Sequence, residues 1–154
     1  MSVTPPQTRS QRLKAATTDL HDRLDVRIMA LDPFAAPDRY VRFLRVQQAF
    51  QDAIAPLYSD AALQALIPDL ADRDRSSAIA ADLRDVALPP PALPDADHGA
   101  RHLAGHPDGR AAHWRRFTAA VDDAAMSDAE EARMIDAARD AFARFRALTE
   151  AAFA

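Results

Sequence analysis

The chain has 154 residues, enough for one domain over residues 1–154, and 49% of them are apolar while 27% are charged. Its net charge of −4 argues against nucleic-acid binding, and the absence of cysteine excludes disulfides, thiolate metal sites and a cysteine nucleophile. No stretch is apolar over the roughly 20 residues of a membrane span, and residues 1–12 lack the apolar core of a secretory signal, so we expect a cytoplasmic protein without membrane contact.

The first part of the chain predicts two long helices separated by a bend. Thr8 and Gln11 have the spacing of a capping box, which marks the start of a first helix. A bend follows over residues 26–36. Pro37 suits the first position of a second helix, and Pro56 should kink that helix or mark its end.

The remaining chain continues the helical pattern. A short helix is predicted over residues 61–66 and a longer one over residues 72–88, followed by a proline-rich connector at 89–94. Pro107 opens another helix, and Ser127, with a glutamate three residues later, caps the last one. No strand-like alternation occurs, so the sequence predicts an all-α bundle of five or six helices.

The first helix carries a histidine and a lysine that together fit a heme. His21 follows Lys14 by two helical turns, a rise of about 10–11 Å, which is roughly the distance from heme iron to its propionates. Imidazole is a standard axial ligand of heme iron, and an ammonium group can pair with a carboxylate. The spacing alone also allows, and by itself favours, a half-buried His21 bonded to a carboxylate such as Asp25, with Lys14 in solvent.

Several further motifs along the chain match those of a known protein family. Residues 14–22 read Lys-Ala-Ala-Thr-Thr-x-x-His-Asp, and residues 98–104 read His-Gly-Ala-Arg-His-Leu-Ala. His-Pro-Asp-Gly-Arg follows at 106–110 and His-Trp-Arg at 113–115. In these motifs and their order, nearly the whole chain resembles the bacterial biliverdin-producing heme oxygenases.

This resemblance implies an activity and a site. The expected reaction is oxidative cleavage of heme to biliverdin with release of iron and CO, as used in iron acquisition. Heme b is substrate and cofactor, and O₂ is reduced with electrons from an acidic reductase or a ferredoxin. The resemblance implies that His21 is the proximal iron ligand and Lys14 a propionate partner. It further implies that Thr17 and Phe142 contact the heme. An internal polar network is implied at Asp25, Arg75 and His102.

One segment of the family pattern is missing. In the family, a distal helix with a Glu-Gly-Ser-x-x-Gly-type motif lies between the proline-rich connector and the motif that begins at His98. Here on the order of 35 residues are absent at this point, about three times a mean helix. The bundle would therefore be truncated and expose apolar faces. The alternatives are a degenerate heme-binding protein without turnover and a helical interaction protein, such as a homo-oligomer whose neighbour covers the groove.

Other histidines and arginines also allow two interpretations. His98, His102 and His106 have the i, i+4, i+8 spacing of a metal site on a continuous helix, but the glycines and proline among them favour a capped turn. We expect Trp114 and Phe117 in the core. A cluster of arginines is either a solvated face or a docking patch for the electron donor; it comprises Arg101, Arg110, Arg115 and Arg116.

Overall fold

The computed structural model describes residues 6–86 and 99–154. Within these ranges the chain forms an all-α bundle, as predicted, with six α-helices and two short 3-10 turns, at Ala71–Arg73 and Arg101–Leu103. The helices are α1 (Arg9–Ala30), α2 (Pro37–Tyr58), α3 (Ala61–Leu66), α4 (Ser76–Val86), α5 (Arg110–Asp123) and α6 (Asp128–Phe153). None of the helices in the described ranges is both long enough and apolar enough to cross a membrane.

The start of α1 is as predicted, but its end is not. Thr8 and Gln11 form a capping box, in which the Thr8 N–H donates to Gln11 Oε1 over 2.9 Å. The bend predicted from residue 26 was wrong, because α1 continues to Ala30. The helix stops just before Pro33, where Asp32 adopts a positive φ of 45°. The residue before a proline avoids helical geometry, so the break falls there.

The next two helices follow the prediction closely. Pro37 stands at the N-terminus of α2, where a missing N–H costs nothing. Pro56 falls within the last turn of α2, two residues before its end. α3 covers the predicted residues, and the side chain of Asp60 caps it by accepting the N–H of Leu63 over 2.9 Å.

Two helix starts were predicted too early. α4 begins at Ser76 and not at residue 72, because the Asp74 carboxylate accepts the N–H and the hydroxyl of Ser76. α5 begins after Gly109, whose positive φ of 87° breaks the helix predicted to start at Pro107. The predicted end of α4 at residue 88 and the connector at 89–94 lie outside the described residues.

The C-terminal helix has the predicted cap. The Ser127 hydroxyl accepts from the N–H of Glu130, and the Glu130 carboxylate accepts from the N–H of Ser127 over 2.8 Å. α6 then runs for 26 residues and is the longest helix in the described part of the chain. It packs against both α1 and α2.

The core lies where α2 meets its neighbours. α2 packs on α4 and α6, while α1 packs on α6 and α5. Buried side chains of α2 lie at the centre, and apolar side chains from α1, α4 and α6 pack around them. The central group is Tyr40, Phe43 and Leu44, surrounded by Ile28, Leu83, Val86 and Phe153.

Charged contacts fix the beginning of α1. The Arg9 guanidinium donates to the carbonyls of Val121 and Ala124 over 2.8 and 2.6 Å, and so caps the C-terminal end of α5. Arg9 and Arg12 also bind the Glu131 carboxylate of α6. The hydrogen bond from Arg12 is the main reason that the pKa of Glu131 falls to about 2. These contacts set the orientation of the helix that carries His21.

Candidate functional site

His21 lies on an open face of α1. Its side chain is 60% exposed, and its ring makes an edge-to-face contact with Phe142 of α6 at a centroid distance of 6.2 Å. Asp25, one turn later, places Oδ2 3.3 Å from His21 Nδ1. His21 Nε2 makes no polar contact with the described part of the chain. The carboxylate therefore faces one ring nitrogen and leaves the other available to a ligand.

Lys14 and Thr17 occupy the same helix before His21. Lys14 is exposed, and no carboxylate of the described residues pairs with it. Thr17 is half-buried, and its hydroxyl donates to the Leu13 carbonyl over 3.0 Å. Thr17 is thus engaged with its own helix, whereas the Lys14 ammonium is available to an anion.

The structure does not join the three residues expected in a polar network. Asp25 is exposed on α1, and its side chain contacts His21. Arg75 and His102 line one cleft together, and no hydrogen bond within residues 6–86 and 99–154 connects either of them to Asp25. Within the described residues, no direct hydrogen bond links the pair in the cleft to the pair on α1.

Asp82 is a central residue that the sequence interpretation missed. Its side chain is fully buried in α4 and accepts the N–H groups of Arg101 and His102 over 2.8 and 2.9 Å. Its Oδ2 also lies 2.7 Å from His102 Nδ1, so His102 carries its proton on that nitrogen. The only sequence signal was an acidic residue on the apolar stripe of α4, next to Ile79 and Leu83.

A second buried contact secures the same segment. The Tyr40 hydroxyl donates to the Gly99 carbonyl over 2.6 Å, and the Gly99 N–H donates to Asp85 Oδ2 over 3.1 Å. Burial, reinforced by the negative charge of Asp82, raises the pKa of Tyr40 to about 12. Residues 99–102 are therefore fixed to both α2 and α4.

The prediction that Trp114 is a core residue was wrong. Its side chain is 60% exposed, because α5 packs mainly on α1 and turns Trp114 away from that contact. Phe117 is half-buried. It packs beside Trp114, and the Arg73 guanidinium lies 5.0 Å from its ring centroid.

The arginine cluster does not form one uniform face. Arg101 pairs with Asp85 and lies near Asp82, while Arg116 pairs with Asp69 and Asp108. Arg110 and Arg115 have no carboxylate partner among the described residues. Only these two arginines of the cluster therefore keep an uncompensated charge in that part of the chain.

The histidine series does not share a helix where it is described. His102 lies in a 3-10 turn and His106 in the loop after it, since Gly105 and its neighbours separate them; His98 lies outside the described residues. Within the described ranges no group of three histidine, aspartate or glutamate side chains converges as a metal site would require.

Known proteins resemble this chain in both sequence and structure. A family model described as heme oxygenase matches residues 83–151. The heme oxygenase PigA of Pseudomonas aeruginosa is 35% identical over 185 residues, covering 95% of this chain and 93% of the relative. The chain belongs to the heme oxygenase family. A crystal structure of the NO- and CO-bound heme oxygenase from Neisseria meningitidis matches this heme oxygenase with a TM-score of 0.89 and 31% identity, covering 96% of this chain and 93% of the other.

The alignment with PigA also reveals a difference in length between the two chains. It runs over 185 residues while this heme oxygenase has 154, so at least 31 aligned positions of the relative have no counterpart here. That difference agrees in size with the segment of about 35 residues missing from the family pattern.

Proposed function

We propose that this heme oxygenase binds heme against α1 and cleaves it oxidatively to biliverdin, releasing iron and CO. The observation that carries the proposal is the exposed imidazole of His21, whose Nδ1 faces the Asp25 carboxylate at 3.3 Å. A carboxylate beside one ring nitrogen fixes the ring and increases the basicity of the other, an arrangement typical of metal-ligating histidines. His21 Nε2 is therefore the proposed ligand of the heme iron.

Other residues of this face would hold the heme in place. We assign to Lys14 a charge contact with a heme propionate, because its ammonium has no carboxylate partner in the described part of the chain. Phe142 would support the ring of His21 and contact the heme. Thr17, whose hydroxyl is already bonded to the Leu13 carbonyl, would offer its methyl group as an apolar contact.

The chemistry needs more than the proximal face. Bound heme supplies the iron that binds O₂, and the chain must supply protons and admit electrons. We propose that Arg75 and His102 belong to a polar network that moves protons, and that Asp25 acts on the heme through its contact with His21. The electrons would come from an acidic reductase or a ferredoxin, attracted by the uncompensated guanidinium groups of Arg110 and Arg115.

A hemin titration tests the proximal ligand. We expect the wild-type chain to give a Soret band that shifts or disappears in His21→Ala. His106→Ala is the matched control, because it removes a histidine away from α1 and should leave the band unchanged. Identical spectra for the wild type and His21→Ala would exclude His21 as the ligand.

Lys14 can be tested in the same titration. We expect Lys14→Gln to weaken hemin binding by roughly three- to tenfold, which corresponds to the loss of one partly exposed charge contact. Arg23→Gln removes a positive charge from the same helix, where Arg23 pairs with Asp19, and serves as the control. Equal losses in both variants would show only an effect of net charge.

Turnover is a separate measurement. With a reductant and O₂ present, bleaching of the Soret band and a rise in biliverdin absorbance are expected. A stable ferric or oxy spectrum would instead identify a heme-binding protein without turnover, and would leave the assignment of His21 intact.

A further inference from the structure

The buried Asp82 carboxylate makes one contact more than the backbone beside it requires. Its oxygens accept the N–H groups of Arg101 and His102, which holds the 3-10 turn at Arg101–Leu103 on α4. A further contact of 2.7 Å joins Asp82 Oδ2 to the ring nitrogen Nδ1 of His102. This last contact adds nothing to the path of the backbone. It fixes the orientation of the ring and the place of its proton.

The ring of His102 has one orientation only. Its side chain is 5% exposed, and the Asp82 side chain is fully buried. Rotation that exchanged the two ring nitrogens would break the contact with the carboxylate. Both oxygens of Asp82 already accept N–H donors, and the Arg101 guanidinium lies 3.7 Å from Oδ1, so the proton between Asp82 and His102 belongs to the ring.

The other ring nitrogen of His102 is a buried acceptor in the wall of the cleft. With the proton on Nδ1, Nε2 carries a lone pair and can only accept a hydrogen bond. Nε2 is buried and has no hydrogen-bond partner among the described residues, although buried polar atoms are usually paired. Arg75, which directly precedes α4, lines the same cleft with a guanidinium that can only donate. His102 therefore supplies an acceptor where its neighbour supplies donors.

We infer that Asp82 is a positioning residue of the heme oxygenase reaction, because it keeps His102 in the Nδ1–H form and so presents Nε2 to the cleft as an acceptor. The inference rests on the proposed function, in which Arg75 and His102 belong to a network that moves protons. A water molecule that donates one hydrogen to Nε2 has its second hydrogen directed away from the ring. The fixed acceptor thus sets the direction in which the network donates. The opposite tautomer would replace this acceptor by another donor, as happens when the carboxylate behind a catalytic histidine is lost.

Nuclear magnetic resonance of the full chain without heme tests the tautomer directly. In a ¹⁵N-labelled sample, long-range ¹H–¹⁵N spectra distinguish protonated from unprotonated ring nitrogens for each of the five histidines. The signals missing in His102→Asn identify His102. We expect Nδ1 of this ring to be protonated and Nε2 to be unprotonated in the wild type. The opposite pattern overturns the inference.

Two carboxylates of α4 provide a matched pair of variants. Asp82→Asn places an amide beside Nδ1, and we expect the ring proton to move to Nε2 because the amide N–H can then donate to Nδ1. Asp85→Asn changes a carboxylate that binds Gly99 and Arg101 of the same segment, and we expect the His102 tautomer to remain that of the wild type. A proton that stays on Nδ1 in Asp82→Asn overturns the inference.

The same variants are compared in turnover and in hemin affinity. With hemin, a reductant and O₂, we expect Asp82→Asn to slow the bleaching of the Soret band at least about tenfold, with a change of less than about twofold in hemin affinity. Asp85→Asn should bleach within about twofold of the wild-type rate. Equal slowing in both variants would show that only the anchoring of residues 99–102 matters, and would overturn the inference.

A second variant covers the case in which Asp82→Asn does not fold, as judged by circular dichroism. His102→Asn keeps an N–H donor for Asp82 but has no counterpart of Nε2, so it should fold and show the same slow bleaching. A wild-type rate in His102→Asn overturns the inference.

Failure of this inference is distinguishable from failure of the proposed function. A wild-type chain that binds hemin without turnover overturns the proposed oxidation, and the role of Asp82 with it. Wild-type turnover with an equal rate in Asp82→Asn overturns the role of Asp82 alone.

Discussion

Polar side chains are exposed on the open face of α1 but buried in the cluster around Asp82. His21 and Asp25 are both about 60% exposed and contact each other on one helix, whereas Asp82 is fully buried and joins α4 to residues 101 and 102. The first pair is free to meet a ligand. The second uses its hydrogen bonds to hold the chain together, because a buried carboxylate must be fully paired. Exposure therefore separates a face suited to binding from a cluster that maintains the fold.

Removing the buried carboxylate should have the largest effect. Asp82→Ala leaves the N–H groups of Arg101 and His102 and the His102 ring without their acceptor, so we expect the free energy of unfolding to fall by about 3–5 kcal/mol. Urea denaturation measures it. Asp72→Ala, at an exposed position before α4, is the control and should change stability by less than about 0.5 kcal/mol. Similar losses in both variants would show that the buried contacts of Asp82 stabilise the fold no more than an exposed carboxylate does.

The second prediction concerns the hydroxyl that fixes Gly99. Tyr40→Phe keeps the aromatic ring in the core but removes the 2.6 Å hydrogen bond to the Gly99 carbonyl. We expect a loss of about 1–2 kcal/mol in the free energy of unfolding, since the carbonyl remains buried without this donor. Tyr58→Phe, on the same helix and half-buried, is the comparison. If Tyr40→Phe is as stable as the wild type, residues 99–102 are not held by this contact.

The third prediction addresses the attachment of α1 to α6. The pKa of Glu131 is lowered from 4.5 to about 2 in the folded chain, first by the hydrogen bond from Arg12, so its contribution to stability is complete above pH 4.5. That contribution disappears as the pH falls toward about 2, because the folded state must then accept the proton. Glu131→Gln should flatten the dependence of unfolding on pH in this window. An unchanged acid dependence would show that the contact adds nothing.

The smallest effect on stability is expected for a substitution near the C-terminal end of α1. Met29 is 64% exposed, and nearby Val26 and Phe34 are 71% and 57% exposed. Met29→Ser removes little buried surface, so the free energy of unfolding should change by less than about 0.5 kcal/mol. A loss above 1 kcal/mol would show that Met29 is covered in solution. Light scattering on the same samples would then reveal whether a second copy covers it.

The sequence by itself determined the features that depend on neighbouring residues. The capping boxes at Thr8 and Ser127, the start of α2 at Pro37 and the placement of His21 after Lys14 all follow from spacings of seven residues or fewer, which a helix enforces locally. The family motifs identified the class of protein. The helix starts that were wrong, at residues 72 and 107, were shifted by Asp74 and Gly109, whose local effects outweighed the apolar pattern.

Only the tertiary structure decided which distant residues meet. The bond between Asp82 and His102 spans 20 positions, and the pairing of Tyr40 with Gly99 spans 59. No local pattern encodes such pairs, because they depend on how α2 and α4 pack. The exposure of Trp114 arises in the same way, from the packing of α5 on α1. Spacing along one helix fixed the candidate heme ligand, whereas packing between helices created the buried, fully paired carboxylate of Asp82.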